Sequence, residues 1–205
     1  AWWLSRHDPL PAVEGSGTGS EKFVPGDAVP ATVVLSAMAV SGVASLALEI
    51  VWFRILVQFL PATSYAFTTM LATVLAGIAI GSALASRALT RPRNWSVVLA
   101  GTLGATSIVV LTSLAILGAT YAAGWRTSGL AQGSAAAILP AAILMGYAFP
   151  IALALWTRPR DTDAATGPRA VGTMYAANVV GGIAGAVLGG FVVLPWLGSR
   201  RALIA

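Results

Sequence analysis

The sequence ATVVLSAMAVSGVASLALEIVWFRIL (residues 31–56) decides the fold class. Between Ala31 and Phe53 its only ionisable side chain is Glu49, and Arg54 follows directly after that apolar run. A helix of about 20 apolar residues is long enough to cross the hydrocarbon core of a bilayer. The stretch therefore predicts a transmembrane helix that ends with an arginine, and we expect Trp52 beside it in the aromatic belt at the lipid–water interface.

The rest of the chain repeats this pattern. Hydrophobic residues make up 57% of the 205 residues and charged residues 9%, with a mean hydropathy of +0.82. A soluble domain carries about 25% charged residues. We therefore predict an all-α, polytopic transmembrane helix bundle. Its five complete spans and the start of a sixth fill residues 31–205, with the spans at about 31–53, 65–89, 95–119, 135–156 and 171–194.

Residues 1–30 mix charged, Pro, Gly and Ser residues without apolar periodicity, which is typical of a polar leader or linker. Lys and Arg are more numerous on the side of this leader than on the other side of the predicted spans. The positive-inside rule then predicts a cytoplasmic N-terminus. The chain starts at Ala1 without a methionine and stops shortly after a further apolar run begins, so we interpret it as a fragment truncated at its C-terminal end.

Several classes of site are not supported by the residues present. The chain has no cysteine and a single histidine, His7, in the polar leader, so we expect no metal site, and we identify no catalytic residue and no cofactor site in this chain. The twelve basic residues are mostly in predicted loops and the leader. They form no basic stripe interleaved with aromatics, and we expect no nucleic-acid partner.

Glu49 is the first candidate for a functional role, because an ionisable group at membrane depth is costly to retain. The alternative is that Glu49 only forms an ion pair with an arginine and fixes a helix interface. Arg54 is the second candidate, for a substrate contact or an ion pair. It follows Glu49 by five residues, which rotates the two side chains by about 140° around a helix and disfavours a direct pair. Asn178 in the fifth span is a third candidate, either as a ligand or as a hydrogen-bonding link between helices.

Small residues at four-residue spacing predict close helix packing in spans two and five. They are Gly77 and Gly81 in the second span, and Gly181, Gly185 and Gly189 in the fifth. The two sets fall at similar depth, so we predict that spans two and five pack antiparallel there.

Two prolines, Pro140 and Pro150, interrupt the fourth span. Each removes one backbone hydrogen bond and tends to kink the helix, which leaves the carbonyls near Ala136 and Gly146 for other donors. Broken helices line substrate paths in some transporters, and ordinary membrane spans also contain proline.

Several segments together resemble the membrane domain of bacterial spermidine-synthase-like proteins, which are often labelled fused major-facilitator/spermidine-synthase proteins. The resemblance covers residues 31 to 205. It is carried by SGVASLALEIVWFRIL (41–56), GIAIGS (77–82), LPAAILMGYAFP (139–150), MYAANVVGGIAGAVLGG (174–190) and LPWLG (194–198). Glu49, Trp52, Arg54, Tyr175 and Asn178 match family positions.

The resemblance implies a bacterial inner-membrane protein with a cytoplasmic aminopropyltransferase-like domain elsewhere in the same polypeptide. That domain would bind decarboxylated S-adenosylmethionine and a polyamine. The chain would then anchor the catalytic domain in the lipid bilayer or pass substrate to it.

Two other functions remain open at this stage. The chain is also compatible with half of a major-facilitator-like transporter or channel, in which Glu49 attracts a cation such as a polyamine. The loop at residues 81–93 departs from the major-facilitator pattern, which has an Asp near Ser86. The third alternative is a homo-oligomeric scaffold built on the glycine stripes.

Overall fold

In the computed structural model the described residues are 29–59, 63–122, 130–157, 166–193 and 195. They form five long helices, and each is long and apolar enough to cross a membrane. The predicted all-α membrane bundle is confirmed. The helices are α1 (Ala31–Phe59), α2 (Thr63–Ala88), α3 (Trp95–Ala122), α4 (Leu130–Thr157) and α5 (Thr166–Leu188), which continues as a π-helical turn, Gly189–Val193. The leader with His7 and the start of a sixth span lie outside the described residues.

The side chains of Thr90 and Asn94 form hydrogen bonds at the end of α2 and the start of α3. The Thr90 hydroxyl donates to the carbonyl of Arg87 (2.8 Å) just beyond the last turn of α2. Asn94 then caps α3, because its Oδ1 accepts the backbone N–H of Val97 (3.2 Å). The connection between these two helices is therefore short, and α3 runs back across the bundle.

Helix α4 is the centre of the bundle. It packs against all four other helices, most extensively against α2. Of the residues in its most apolar stretch 44% are buried, against 17–22% in the other four spans. The helix with two internal prolines is thus the one most surrounded by other helices. In that position the carbonyls that the prolines free can accept hydrogen bonds from neighbouring helices.

The glycine stripes join two parallel pairs of helices. A methyl group added at Gly181 or Gly185 would collide with the backbone of Ala39 or Val43 in α1. The residue contacted in α1 advances from 39 to 43 as the glycine in α5 advances from 181 to 185. Helices α1 and α5 therefore run in the same direction. In the same way Gly77 and Gly81 of α2 lie against Ala142, Ile143 and Gly146 of the parallel helix α4.

The prediction that spans two and five pack antiparallel on their glycines is therefore wrong. The two stripes have different partners, α4 for one and α1 for the other, and α2 and α5 are not packed against each other. Equal depth in the membrane did not identify the partner helix, because every span of a bundle has residues at that depth. The stripes fixed how closely a partner helix approaches without specifying which helix it is.

A side-chain hydrogen bond replaces the backbone bond that Pro150 removes. Pro150 has no N–H to donate to the carbonyl of Gly146, four residues earlier. The hydroxyl of Ser82 in α2 donates to that carbonyl instead (3.1 Å). Ser82 can reach it because the backbones approach closely here, where a methyl group on Gly146 would collide with Ile78.

Two clusters of buried side chains occupy opposite ends of the bundle. One joins all five helices around Trp95, Ile151 and Met174, with Ala85 as the contribution of α2. The other joins α1, α2 and α4 around Trp52, Leu56 and Ile138. Trp52 is only 1% exposed, so the expectation that it lies in the interfacial belt is wrong. Its indole N–H is buried without a hydrogen-bond partner.

We expect Ser82→Ala to lower the free energy of unfolding by about 0.5–1.5 kcal/mol, because it leaves the Gly146 carbonyl without a donor. In a Pro150→Ala background the same change should cost close to nothing, since alanine at position 150 supplies the missing N–H. Denaturation in mixed micelles measures all four members of this double-mutant cycle.

The matched control is Ser86→Ala. The Ser86 hydroxyl that it removes donates to the Ser82 carbonyl within α2 (2.8 Å). That variant should differ from the parent by less than about 0.5 kcal/mol. An equal cost for Ser82→Ala with and without Pro150 would show that the hydroxyl does not replace the lost backbone bond.

Paired cysteines can test the parallel packing, because the chain has no cysteine of its own. A Cβ on Gly189 would lie 3.4 Å from the Cβ of Ala47, close to the separation of about 3.5–4.5 Å in disulfides. Ala47→Cys with Gly189→Cys should therefore oxidise readily, as a mobility shift would show. Ala79→Cys with Ala184→Cys, on α2 and α5, should stay reduced, and crosslinking of that pair alone would contradict the fold.

Candidate functional site

A cleft of about 620 Å³ lies between the two helix pairs. Helices α1 and α4 form its floor, and α2 and α5 stand on either side. Much of its lining is apolar, including Leu46, Ile78, Phe149 and Ile183. Four polar side chains also line it, namely Ser41 and Ser45 of α1 and Tyr175 and Asn178 of α5. An apolar cleft with a few polar groups is the usual form of a small-molecule site.

The polar groups of the cleft are not used by the fold. Most serine and threonine hydroxyls of the described helices donate to a carbonyl one turn back, as Thr73 and Thr102 do at 2.7 and 2.8 Å. Ser41, Ser45, Tyr175 and Asn178 form no side-chain hydrogen bond with any residue that the structure describes. These four groups therefore keep their hydrogen-bonding capacity for a ligand or for water.

Glu49 continues the polar face of α1. It does not itself line the cleft, but it follows Ser45 by four residues and Ser41 by eight, so the three side chains project from neighbouring positions on successive turns. Glu49 is partly buried. It is the one acidic residue in the described part of the chain, and no arginine there lies within ion-pairing distance of it.

Arg54 lies apart from this face. Its side chain is exposed near the end of α1, and helical geometry separates it from Glu49 by about 140°. It forms no ion pair within the described residues, so the structure does not bring these two candidates together. The interpretation of Glu49 as one half of an ion pair finds no partner among the described arginines.

Asn178 lies where α5 crosses α1. Its backbone carbonyl and its Oδ1 face Gly42. A methyl group added to Gly42 would lie only 3.1 Å from this Oδ1. The amide forms no hydrogen bond across this contact within the described residues, so the alternative of an amide link between helices is not seen there. The side chain borders the cleft instead, and the structure thus brings Asn178 to the face of α1 that carries Ser45.

A second groove of about 400 Å³ lies between α1 and α3 over α4. It also has hydroxyls, but those of Ser36, Thr106 and Ser107 each donate to a carbonyl of their own helix. Its one hydroxyl without such a bond among the described residues is that of Ser41, which lines both grooves. The second groove therefore has fewer polar groups free to bind a ligand than the first cleft. The first cleft, which also has Glu49 one turn beyond its end, is the stronger candidate site.

Metal binding has no support in the described residues, which contain no group of three His, Cys, Asp or Glu side chains able to hold an ion. The two prolines lie within α4, which is helical on both sides of each. Near Pro150, the carbonyl that it frees is occupied by Ser82 and is not open to a ligand.

Sequence reasoning singled out Glu49 and Asn178 but missed Ser41 and Ser45. Their signal was present, because Ser41, Ser45 and Glu49 repeat every four residues and so share one helix face. What the sequence did not show is that α5 approaches this face and closes one side of a cleft.

Comparisons of the chain with protein-family models, with curated proteins and with solved structures find no match. The functional argument therefore depends on the cleft, its unpaired polar groups and the adjacent carboxylate.

Proposed function

We propose that the chain is the membrane domain of a spermidine-synthase-like protein and that its cleft holds an amine ligand. The chain would anchor an aminopropyltransferase-like domain of the same polypeptide in the bilayer or pass this ligand to it. One observation carries the proposal: an unpaired carboxylate, Glu49, lies in line with two unpaired hydroxyls, Ser45 and Ser41, on the face of α1 that floors the cleft.

The spacing of these groups suits a linear amine. Four residues of helix rise about 6 Å, so the three side chains span about 12 Å along α1. A protonated nitrogen next to Glu49 would offset the charge of the carboxylate, which is otherwise costly at membrane depth. Further nitrogens of the same molecule can donate to Ser45 and Ser41. The Asn178 amide oxygen offers another acceptor from α5.

The resemblance and the arginine distribution support the rest of the proposal. They favour the inner membrane of a bacterium and a cytoplasmic N-terminus. A transporter or channel half remains the second candidate, because the cleft lies between the two buried clusters, near the depth at which secondary transporters bind substrate.

A scaffold built on the glycine stripes is less well supported. Gly77, Gly81, Gly181, Gly185 and Gly189 are all covered by helices of the same chain. A second copy could not use these faces without displacing α1 or α4.

We expect Glu49→Gln to weaken binding of spermidine to the detergent-solubilised chain by at least about tenfold, because a hydrogen bond to a charged group contributes about 1.5–3 kcal/mol. Ser45→Ala should weaken binding by about two- to tenfold. Titration calorimetry measures both changes, and retained thermal stability shows that the variants are folded.

Two variants serve as controls. Arg54→Gln removes a charge from the other side of α1, and Ser107→Ala removes a hydroxyl that donates to Leu103 (3.1 Å). Neither should weaken binding. If Glu49→Gln binds spermidine as tightly as the parent, the carboxylate is not the amine site and the proposal fails. Spermidine uptake into proteoliposomes that depends on Glu49 would favour the transporter.

A further inference from the structure

The cleft is open on one side along its length. Its side walls are α2 and α5, which are not packed against each other. At this opening Ile78 projects from α2 and is 36% exposed. Ile183 and Val187 project from α5 and are 63% and 52% exposed. All three line the cleft and are also accessible from outside the bundle.

The opening lies at the depth of the lipid chains. Ile78 is near the middle of the candidate span Ser64–Ala88, and Ile183 is near the middle of Pro168–Val192. Mid-span positions of a membrane protein face the hydrocarbon core and not the head groups. A molecule dissolved in the bilayer can therefore reach the cleft sideways, whereas a fully hydrated cation meets hydrocarbon at this opening.

The polar and apolar groups of the cleft are arranged for an amphiphile. The hydroxyls of Ser41 and Ser45 lie on the floor helix α1, with Glu49 one turn beyond, while isoleucine and valine side chains border the opening. A ligand with a polar head and a hydrocarbon tail can satisfy both regions at once. A polyamine without an alkyl chain satisfies only the floor.

We propose that the amine held by this cleft carries an alkyl chain and enters laterally from the bilayer between α2 and α5. Its ammonium group lies at Ser45 and Glu49, and its chain leaves past Ile78 and Ile183 into the lipid. This inference rests on the proposed amine site and adds the ligand class and its route. A buried ammonium needs a charged partner at this depth, and Glu49 supplies one.

A single label at the opening can test the route. In the Ile183→Cys variant the new cysteine is the only one in the chain, so a fluorophore can be attached there alone. In nanodiscs containing lipids brominated near the middle of their chains, we expect strong quenching of this label. Dodecylamine should relieve the quenching as its chain displaces lipid from the opening.

Matched probes separate binding from general effects on the bilayer. A label at Ile108→Cys on α3, where the native side chain is 67% exposed, should be quenched equally with and without dodecylamine. Dodecanol, which has the chain without the charge, should give no relief at position 183. Adding Glu49→Gln to the Ile183→Cys variant should raise the dodecylamine concentration for half-relief by at least about tenfold.

Three results would overturn the inference. If dodecanol acts as well as dodecylamine and Glu49→Gln changes nothing, lipid alone fills the opening. If the label at position 183 is not quenched at all, a second copy or another protein segment covers it. If spermidine binds in a Glu49-dependent manner and dodecylamine does not compete with it, the amine site stands while the alkyl chain and the lateral route are wrong.

Discussion

The bundle depends on the close approach of α2 and α4 at Gly81 and Gly146. In lipid there is no hydrophobic drive to bring two helices together, so association relies on close packing and on hydrogen bonds between them. Both occur at this contact. The missing side chains let the backbones meet, and the same proximity brings the Ser82 hydroxyl to the carbonyl that Pro150 leaves free. One interface thus packs the most buried helix and satisfies the carbonyl that Pro150 frees.

The cleft is a consequence of how the two glycine-packed pairs are combined. Spans that follow each other in sequence run in opposite directions, so a parallel pair must join spans that are not consecutive. The pairs α1–α5 and α2–α4 meet mainly through α1 and α4. Because α2 and α5 then lie on the outside of this central contact without packing together, a gap remains between them. The site is therefore a product of pairing, not of any one helix.

The sequence alone was enough for the fold class. Apolar length and the scarcity of charge determine that helices cross a bilayer, and each described helix covers most of its predicted span. Pro150 also predicted a free carbonyl at Gly146, and the structure places a donor from another helix on it. These features are local, because they depend on the residues within one span.

The features that sequence reasoning missed all depend on which helices meet. Trp52 near an arginine at the end of a span suggested the interfacial belt, but α2 and α4 cover it. The glycine stripes of spans two and five have the same pattern, yet each has a different partner. Ser41 and Ser45 are unremarkable until α5 is placed beside them. A single sequence carries periodicity along each helix but little about the order of helices around a bundle.

Unmet polar groups lie on one part of α1 and, at Tyr175 and Asn178, on the α5 residues that line the same cleft. The indole N–H of Trp52 is the one fully buried side-chain donor without a partner among the described residues, and Glu49, one turn earlier, has no ion pair there. Elsewhere in the described bundle the cost of polar groups is largely avoided, because hydroxyls bond to their own helices and Ser82 fills the gap at Pro150. Uncompensated polar groups in an otherwise satisfied core are the usual mark of a site kept for function rather than stability. This contrast, more than the composition of the chain, singles out the middle of α1.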